Sequence, residues 1–298
     1  MITNLIYLLL TTIFTLVTFK VLLNNKKYID IYDYPDSRKI HSEKILKVGG
    51  IGIIFSSLLM LCFYRLIFDE PLFEMSTSEI PILFSTIFLV IGGFLDDLIS
   101  LNAIKKLFFQ LIAISIIIKS GFIFSLTSSN YLNIVFTIAL FIVSINSMNL
   151  IDGIDGLSSG IFLFFSLSML ILLLNIPAIN SKYYIVISIF LGSITAFFIT
   201  NFPPAKLFLG DTGSQLLGWV MTLSIVHLSS FFENNFQKIY LLSFLSIPLY
   251  DVFFIMLIRF YNSEGKLITR IFSVAYPDQN HIHHSLLKNN FNNNSSLL

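Results

Sequence analysis

The chain has 298 residues, of which 55% are apolar and only 12% are charged, and its mean hydropathy is +0.84. Soluble domains carry about a quarter charged residues, so this composition excludes a soluble domain and indicates a polytopic membrane protein. The net charge of +1 gives no electrostatic reason to expect a nucleic-acid partner. A single cysteine, Cys62, excludes an intramolecular disulfide.

Apolar runs separated by polar breaks predict an all-α fold, a transmembrane bundle of about nine helices. The first run has neither a basic leader nor a small-residue cleavage site, so we expect it to be retained as a span. Pro248 is expected to interrupt the last helix, because proline removes a backbone donor. The predicted helices are residues 3–24, 48–68, 79–95, 105–119, 131–149, 157–176, 182–200, 213–231 and 239–260.

Basic residues fall mainly on one side of the predicted bundle. If the loops after helices 1, 3, 5 and 7 share a side with the tail, that side holds thirteen Lys and Arg residues and the other side three. The positive-inside rule then puts the amino terminus outside and the carboxy terminus in the cytoplasm. Most acidic residues also face the cytoplasm, which favours an interfacial enzyme over a transporter. We expect one domain, 1–298, whose site is formed by residues 25–47, 96–106, 150–157, 201–212 and 261–298.

The first polar cluster is the adjacent pair Asp96 and Asp97 at the predicted end of helix 3, with Lys106 at the start of helix 4. Neighbouring carboxylates repel each other unless a cation or a shared proton relieves them. The pair therefore indicates either a functional site or a solvated turn, and its own sequence does not separate these alternatives.

The second cluster consists of four polar residues spaced by three in an apolar run, Asn146, Asn149, Asp152 and Asp155. This spacing places them on one face of a helix, and Gly153 and Gly156 allow a ligand or backbone to come close. Asn and Asp also cap helices, but a cap needs one such residue and not four. A binding site is therefore favoured.

The third cluster surrounds Asp211, which lies between Gly210 and Thr212 just ahead of predicted helix 8. A carboxylate at a helix amino terminus suits a divalent cation that also contacts phosphate, and an ordinary helix cap is the alternative. Phe208 could stack on a base, although packing is the commoner role in a chain with 32 Phe residues.

The fourth cluster comprises three histidines in the tail, His281, His283 and His284. Such a cluster fits either a transition-metal site or contacts to phosphate. The other polar groups are carboxylates and amides and no cysteine is near, so hard oxygen ligands favour magnesium or manganese over zinc. Phosphate contact is the preferred role of the histidines.

Five motifs between about Asp36 and His284 together resemble those of the polyprenyl-phosphate N-acetylhexosamine-1-phosphate transferases, and more distantly phospho-MurNAc-pentapeptide translocase. They are PDSRKIH followed by VGG, the Asp pair with Lys106 and Gln110, NSMNLIDGIDGL, NFPPAKLFLGDTGS, and HIHH. The resemblance implies transfer of sugar-1-phosphate from a cytosolic UDP-N-acetylhexosamine to undecaprenyl phosphate, with release of UMP. It also implies a bacterial inner membrane location and a role in starting cell-envelope polysaccharides such as O antigen.

The resemblance further implies a role for each matching residue. Asp211 would ligate Mg²⁺, with Mn²⁺ as the alternative, and Asp96 would deprotonate or orient the prenyl phosphate. The implied catalytic set is Asp96, Asp97 and Lys106. The implied nucleotide pocket, with the last residue against the uracil, is Asn149, Asp152, Asp155, Asn201 and Phe208. The implied phosphate contacts are His281, His283 and His284. Expected partners are UDP-N-acetylhexosamine, undecaprenyl phosphate and membrane lipid, and a homodimer is compatible with the sequence.

Two departures from the family pattern keep a second hypothesis open. Gln279 stands where the family commonly has an arginine, and the chain ends fourteen residues after His284, where relatives continue into further helices. The chain could instead be a shortened, non-catalytic relative that keeps the pocket as a binding or scaffold protein. A CDP-alcohol phosphotransferase is disfavoured, because Ile154 and Asp155 follow the first Asp-Gly where that class needs Ala-Arg.

Overall fold

The computed structural model describes residues 2–35, 43–68, 79–174 and 181–262, and most of them are helical. The helices are α1 Ile2–Asn24, α2 Gly49–Phe68, α3 Glu79–Ile99, α4 Ala103–Lys119, α5 Asn130–Ile151, α6 Leu157–Leu174, α7 Ser181–Asn201, α8 Gly210–Ser229, α9 Asn235–Leu242 and α10 Ser246–Asn262. Two-residue strands, β1 Tyr32–Asp33 and β2 Ile45–Leu46, pair antiparallel ahead of α2. The predicted all-α bundle is confirmed, with this small ribbon as an unpredicted addition.

The helix ends differ from the prediction at places that matter for the site. α3 continues to Ile99 and α8 begins at Gly210, so Asp97 lies in a last helical turn and Asp211 in a first one. The predicted ninth helix is divided into α9 and α10 by a 3-10 turn, Ser243–Leu245. Pro248 is in the first turn of α10, where its missing N–H costs no helical bond, so the interruption lies just before it.

Five of these helices, α1, α2, α3, α5 and α7, are long and apolar enough to cross a membrane. Their outer surfaces expose large apolar side chains, for example Ile13, Phe55 and Phe84. Contiguous apolar surface of this kind is unfavourable in water and suits contact with lipid tails. The chain is a multi-pass membrane protein.

Helix α8 lies at the centre of the bundle, packed against α2, α3 and α5. Trp219 in the middle of α8 is fully buried, packs its ring at a tilt against Phe141 and donates its indole N–H to Thr86 Oγ1 at 3.0 Å. Buried Ser and Thr hydroxyls mostly bond carbonyls three or four residues earlier, as for Thr222 and Gly218 O at 3.0 Å, which satisfies them without water. Helix α8 is therefore held in place by three neighbouring helices.

The segment from β2 into α2 is held against the start of α8 by backbone hydrogen bonds. Phe208 N donates to Leu46 O at 2.8 Å, Gly49 N to Phe208 O at 2.9 Å, and Gly50 N to Leu209 O at 2.8 Å. A Cβ atom on Gly50 would lie 2.4 Å from the backbone nitrogen of Gly213, so a larger residue could not approach so closely. This close contact explains the two glycines of the Val-Gly-Gly motif. It also fixes the position of the backbone of Lys47, the residue before the motif.

Candidate active site

Three of the four predicted polar clusters meet at one end of the bundle, where α3, α5 and α7 end and α4, α6 and α8 begin. At its centre are two lysines, one of them unpredicted, and four carboxylates whose charges act on one another. These six residues are Lys47, Asp96, Asp97, Lys106, Asp152 and Asp211. The predicted tail histidines His281, His283 and His284 lie outside the described residues, so their role remains a prediction.

Asp97 joins α3 to the first turn of α8. Its Oδ1 accepts the backbone N–H of Asp211 at 2.8 Å, and its Oδ2 accepts the N–H of Thr212 at 2.9 Å and its hydroxyl at 2.6 Å. The side chain is 0% exposed. Asp97 thus caps α8 from a neighbouring helix, satisfying N–H groups that have no partner within α8. In this structure Asp97 anchors the backbone of Asp211, and its predicted catalytic role remains a prediction.

Asp211 is held by polar groups from three other segments. Asn149 donates its side-chain N–H to Asp211 Oδ1 and, at 2.8 Å, to Ser214 Oγ. Lys106 Nζ lies 3.6 Å from Asp211 Oδ1, and Lys47 Nζ lies 3.7 Å from Oδ2. Despite these neighbours the Asp211 side chain is 19% exposed, so this carboxylate is accessible to an ion or a substrate.

Asp96 forms a close ion pair with Lys106 through its Oδ2 atom. Its Oδ1 accepts the backbone N–H of Leu101 at 2.7 Å, in a turn where Ser100 has φ of 50°. Asp96 is 3% exposed. Lys106 therefore connects Asp96 with Asp211, and the predicted grouping of these three residues is present in the structure.

Lys47 lies at the end of the predicted site segment 25–47 but was not itself predicted as a site residue. Its Nζ lies 3.4 Å from Asp97 Oδ1, in addition to its contact with Asp211. Burial opposes its charge, but the nearby carboxylates of Asp211, Asp97 and Asp33 outweigh that effect and raise the pKa of Lys47. The available signal was its position directly before Val48-Gly49-Gly50, a motif whose glycines require close packing.

Asp152 follows the last residue of α5 and accepts a hydrogen bond from the Ser158 hydroxyl. Partial burial of its carboxyl opposes ionisation, and although the Ser158 bond favours ionisation, the charges of Asp211 and Asp97 add to the opposing effect. Together these influences raise the pKa of Asp152 to about 8. A carboxyl that holds its proton near neutral pH can donate a hydrogen bond as well as accept one.

Asp155 and Asn201 brace the loops beside the site. Asp155 Oδ2 accepts the backbone N–H of Ala205 at 2.9 Å. Asn201 accepts the N–H of Gly156 at 2.8 Å and donates to Leu207 O at 2.9 Å, and its side chain is buried. Both residues stabilise these loops in this structure, and their predicted contact with a nucleotide remains a prediction.

Two further groups complete the surroundings. Phe208 is fixed through its backbone bonds to Leu46 and Gly49, and its stacking on a base remains a prediction. Behind Asn149, an amide network links α4, α5 and α8. Gln110 donates to Gln215 Oε1 at 3.3 Å, and Asn146 donates to Gln110 Oε1 at 3.0 Å. This network fixes the register of the helices that carry Lys106 and Asn149.

The donor set fits a magnesium ion held at Asp211. Within the described ranges, no group of three or more His, Cys, Asp or Glu side chains is arranged to hold a metal, so a closed protein cage is absent there. Mg²⁺ characteristically uses one or two carboxylates together with substrate phosphates and water. An accessible carboxylate among further acidic groups suits that mode of binding. The two lysines beside it could neutralise and position the phosphate groups.

The described residues form a multi-pass helical membrane protein with carboxylates and lysines gathered at one end of the bundle. A comparison with family models matches residues 80–229 to Glycosyl transferase family 4. The matched residues include most of the site, among them Asp97 of α3 and Asp211 of α8, which are joined by a hydrogen bond. The chain belongs to Glycosyl transferase family 4.

Named relatives are similar over most of the chain. The probable undecaprenyl-phosphate N-acetylglucosaminyl 1-phosphate transferase of Bacillus subtilis is 28% identical over 284 residues, 91% of this chain and 73% of the relative. The undecaprenyl-phosphate alpha-N-acetylglucosaminyl 1-phosphate transferase of Thermotoga maritima is 34% identical over 264 residues, 87% of this chain and 73% of the relative. A phospho-N-acetylmuramoyl-pentapeptide-transferase of Fervidobacterium nodosum is 30% identical over 246 residues, 75% of this chain and 70% of the relative.

Proposed function

We propose that the chain transfers an N-acetylhexosamine 1-phosphate unit from a UDP-sugar to undecaprenyl phosphate, forming a lipid-linked sugar pyrophosphate and UMP. Relatives named for such transfers support this proposal. The observation that carries it is the position of Asp211, accessible and flanked by two lysines while Asp97 holds its backbone. Both substrates are anions, so a site that joins them needs cations and fixed geometry more than covalent chemistry.

In the proposed reaction an oxygen of the prenyl phosphate attacks the β-phosphorus of the UDP-sugar. The anhydride bond between the β-phosphorus and the bridging oxygen breaks, and UMP leaves with that oxygen. Lys106 holds phosphate oxygens, and Asp96 orients the prenyl phosphate or accepts its proton through the Asp96–Lys106 pair. Asp211 would hold Mg²⁺, with Mn²⁺ as a substitute, and the ion would neutralise charge on the leaving UMP.

The location of the substrates supports a definite orientation. The nucleotide donor is water-soluble and the acceptor is a lipid, so the site has to lie at the membrane surface. Basic residues are concentrated on the side that carries the site, which the positive-inside rule assigns to the cytoplasm. We therefore place the site on the cytoplasmic face of the bacterial inner membrane, in a single domain, with the amino terminus outside.

The test is a transfer assay with purified full-length chain, Mg²⁺, undecaprenyl phosphate and a panel of UDP-sugars including UDP-N-acetylglucosamine. We expect UMP release that requires the lipid phosphate, at least one N-acetylhexosamine donor and Mg²⁺, and that EDTA abolishes. A relative such as the Thermotoga maritima protein serves as the positive control. Absence of UMP with every sugar, under conditions in which the control is active, would contradict the proposal and favour a binding or scaffold role.

A further inference from the structure

Lys47 and Lys106 occupy equivalent positions on either side of Asp211. Lys106 contacts Asp96 and approaches Asp211 Oδ1 to 3.6 Å. Lys47 contacts Asp97 and approaches Asp211 Oδ2 to 3.7 Å. Each lysine is therefore shared between one carboxylate at the end of α3 and the carboxylate at the start of α8.

The backbone of Lys47 is fixed in this position. Its N–H donates to Ile31 O at 2.9 Å, and the residue before it accepts the N–H of Phe208 at 2.8 Å. The two residues that follow Val48 donate to Phe208 O and Leu209 O. Hydrogen bonds on both sides of Lys47 thus direct its side chain toward Asp211, unlike a surface lysine, whose position is set by solvent.

The side chain of Lys47 is available for another partner. Its distances of 3.4 Å and 3.7 Å to the two carboxylates exceed the roughly 2.7–2.9 Å of a charge-assisted hydrogen bond. The oxygens of Asp97 already accept three hydrogen bonds from α8. Lys47 is 22% exposed, and its ammonium group has three donors. Lys47 is hydrogen-bonded to Asp97 as well, and these long contacts with two carboxylates leave its ammonium group able to donate to a further partner.

We propose that Lys47 is a substrate-binding residue that donates hydrogen bonds to phosphate oxygens on the side of Asp211 opposite Lys106. The two lysines then hold the reacting phosphates between them. This inference rests on the proposed function, because it takes the ligand to be the phosphate group of the nucleotide donor or of the lipid acceptor. Both sources offer the same oxygen chemistry, and the experiment separates them.

The experiment compares Lys47→Gln with Lys44→Gln in the full-length chain. Lys44 is exposed and lies over the ring of Tyr32, so its substitution removes the same charge from the same segment away from Asp211. The dissociation constant for UDP is measured by calorimetry with Mg²⁺, and KM for undecaprenyl phosphate by UMP release. Thermal stability of each variant in EDTA reports any structural effect.

We expect Lys47→Gln to weaken UDP binding or to raise the lipid KM by about 10- to 100-fold, the range for a hydrogen bond to a charged group. The affected constant identifies which phosphate Lys47 contacts, and Lys44→Gln should leave both within about two-fold. If both constants for Lys47→Gln stay within two-fold of the wild type, the proposal is wrong, even if kcat or stability falls.

A second variant covers the case in which Lys47→Gln does not fold. Lys47→Met keeps the length and the apolar stem of the side chain beside Asp97 and Asp211 but has no donor for a phosphate oxygen. We expect a folded Lys47→Met protein whose UDP dissociation constant or lipid KM is at least about 10-fold higher. Unchanged constants would then overturn the proposal. UDP binding is measured without turnover, so it tests the role of Lys47 separately from the proposed transfer. If the proposed transfer is wrong, the wild-type protein itself releases no UMP.

Discussion

The four carboxylates of the site have different surroundings, and these differences divide their functions. Asp97 accepts three hydrogen bonds from the N–H and hydroxyl groups of α8, and Asp96 is paired with Lys106. Asp211 remains 19% exposed, so it is the carboxylate best placed to meet a ligand. In this structure Asp97 positions Asp211, because most of its lone pairs accept hydrogen bonds from the start of α8, while its predicted part in catalysis remains a prediction.

Asp152 gives a pH-dependent prediction. Its pKa of about 8 in the folded protein lies above the ordinary value of 3.8, so the protonated form is favoured by folding. The contribution of this residue to stability is therefore fully present below pH 4 and is lost as pH rises toward 8. Asp152→Asn cannot ionise, so in EDTA its melting temperature should exceed that of the wild type increasingly between pH 5 and pH 8.

The control for this measurement is Asp30→Asn, which changes an exposed carboxyl outside the site. Its difference in melting temperature from the wild type should not grow over the same pH range. A difference between Asp152→Asn and the wild type that is constant with pH, or that shrinks as pH rises, would show that Asp152 is not a protonated carboxyl in the folded protein.

At the scale of elements, the contact between the end of α3 and the start of α8 determines the site. Gly210 has φ of 76°, and a Cβ atom there would lie 2.8 Å from Asp97 Oδ2. Gly210→Ala therefore meets both the left-handed backbone cost of about 1–2 kcal/mol and a collision with the cap of α8. We expect lower thermal stability and a loss of transfer activity of at least about 10-fold.

A second glycine separates these two effects. Gly121 also has positive φ, 87°, but a Cβ atom there would meet nothing within 4 Å. Gly121→Ala should therefore lose stability through the backbone alone and keep its activity. Equal effects of the two substitutions on activity would mean that the contact between Asp97 and α8 does not position the site.

The sequence was sufficient to predict the elements and most of the site, for identifiable physical reasons. Long apolar runs have few alternatives to helices in a membrane, and polar residues inside such a run, Asn149 and Asp152, indicated a site. The single helical face predicted for their cluster is wrong, because α5 ends at Ile151 and Asp152 and Asp155 follow it. The cap formed by Asp97 could not be predicted, since it depends on how α3 meets α8 in space. Lys47 was not predicted as a site residue because a lone lysine in a short loop forms no recognisable sequence pattern. Its position depends on the hydrogen bonds between the segment after β2 and Phe208, which only the structure shows.

For the whole molecule, the proposed orientation predicts which residues are accessible from outside the cell. With Cys62 replaced by serine, Lys44→Cys and Glu233→Cys each provide one exposed thiol, at the site end and beyond the other end of α8. A membrane-impermeant maleimide should label only Glu233→Cys in intact cells, and both variants after the membrane is opened. Labelling of Lys44→Cys in intact cells would invert the orientation.

The most direct measurement is the activity of Asp211→Asn. This substitution keeps the size of the side chain but removes the charge beside Lys47 and Lys106, so UMP release should fall at least about 1,000-fold, while Asp30→Asn stays near the wild type. The melting temperature of Asp211→Asn in EDTA should show a folded protein, and added Mg²⁺ should stabilise it less than the wild type. Near-normal UMP release by a folded Asp211→Asn protein would contradict a phosphotransfer site centred on this carboxylate.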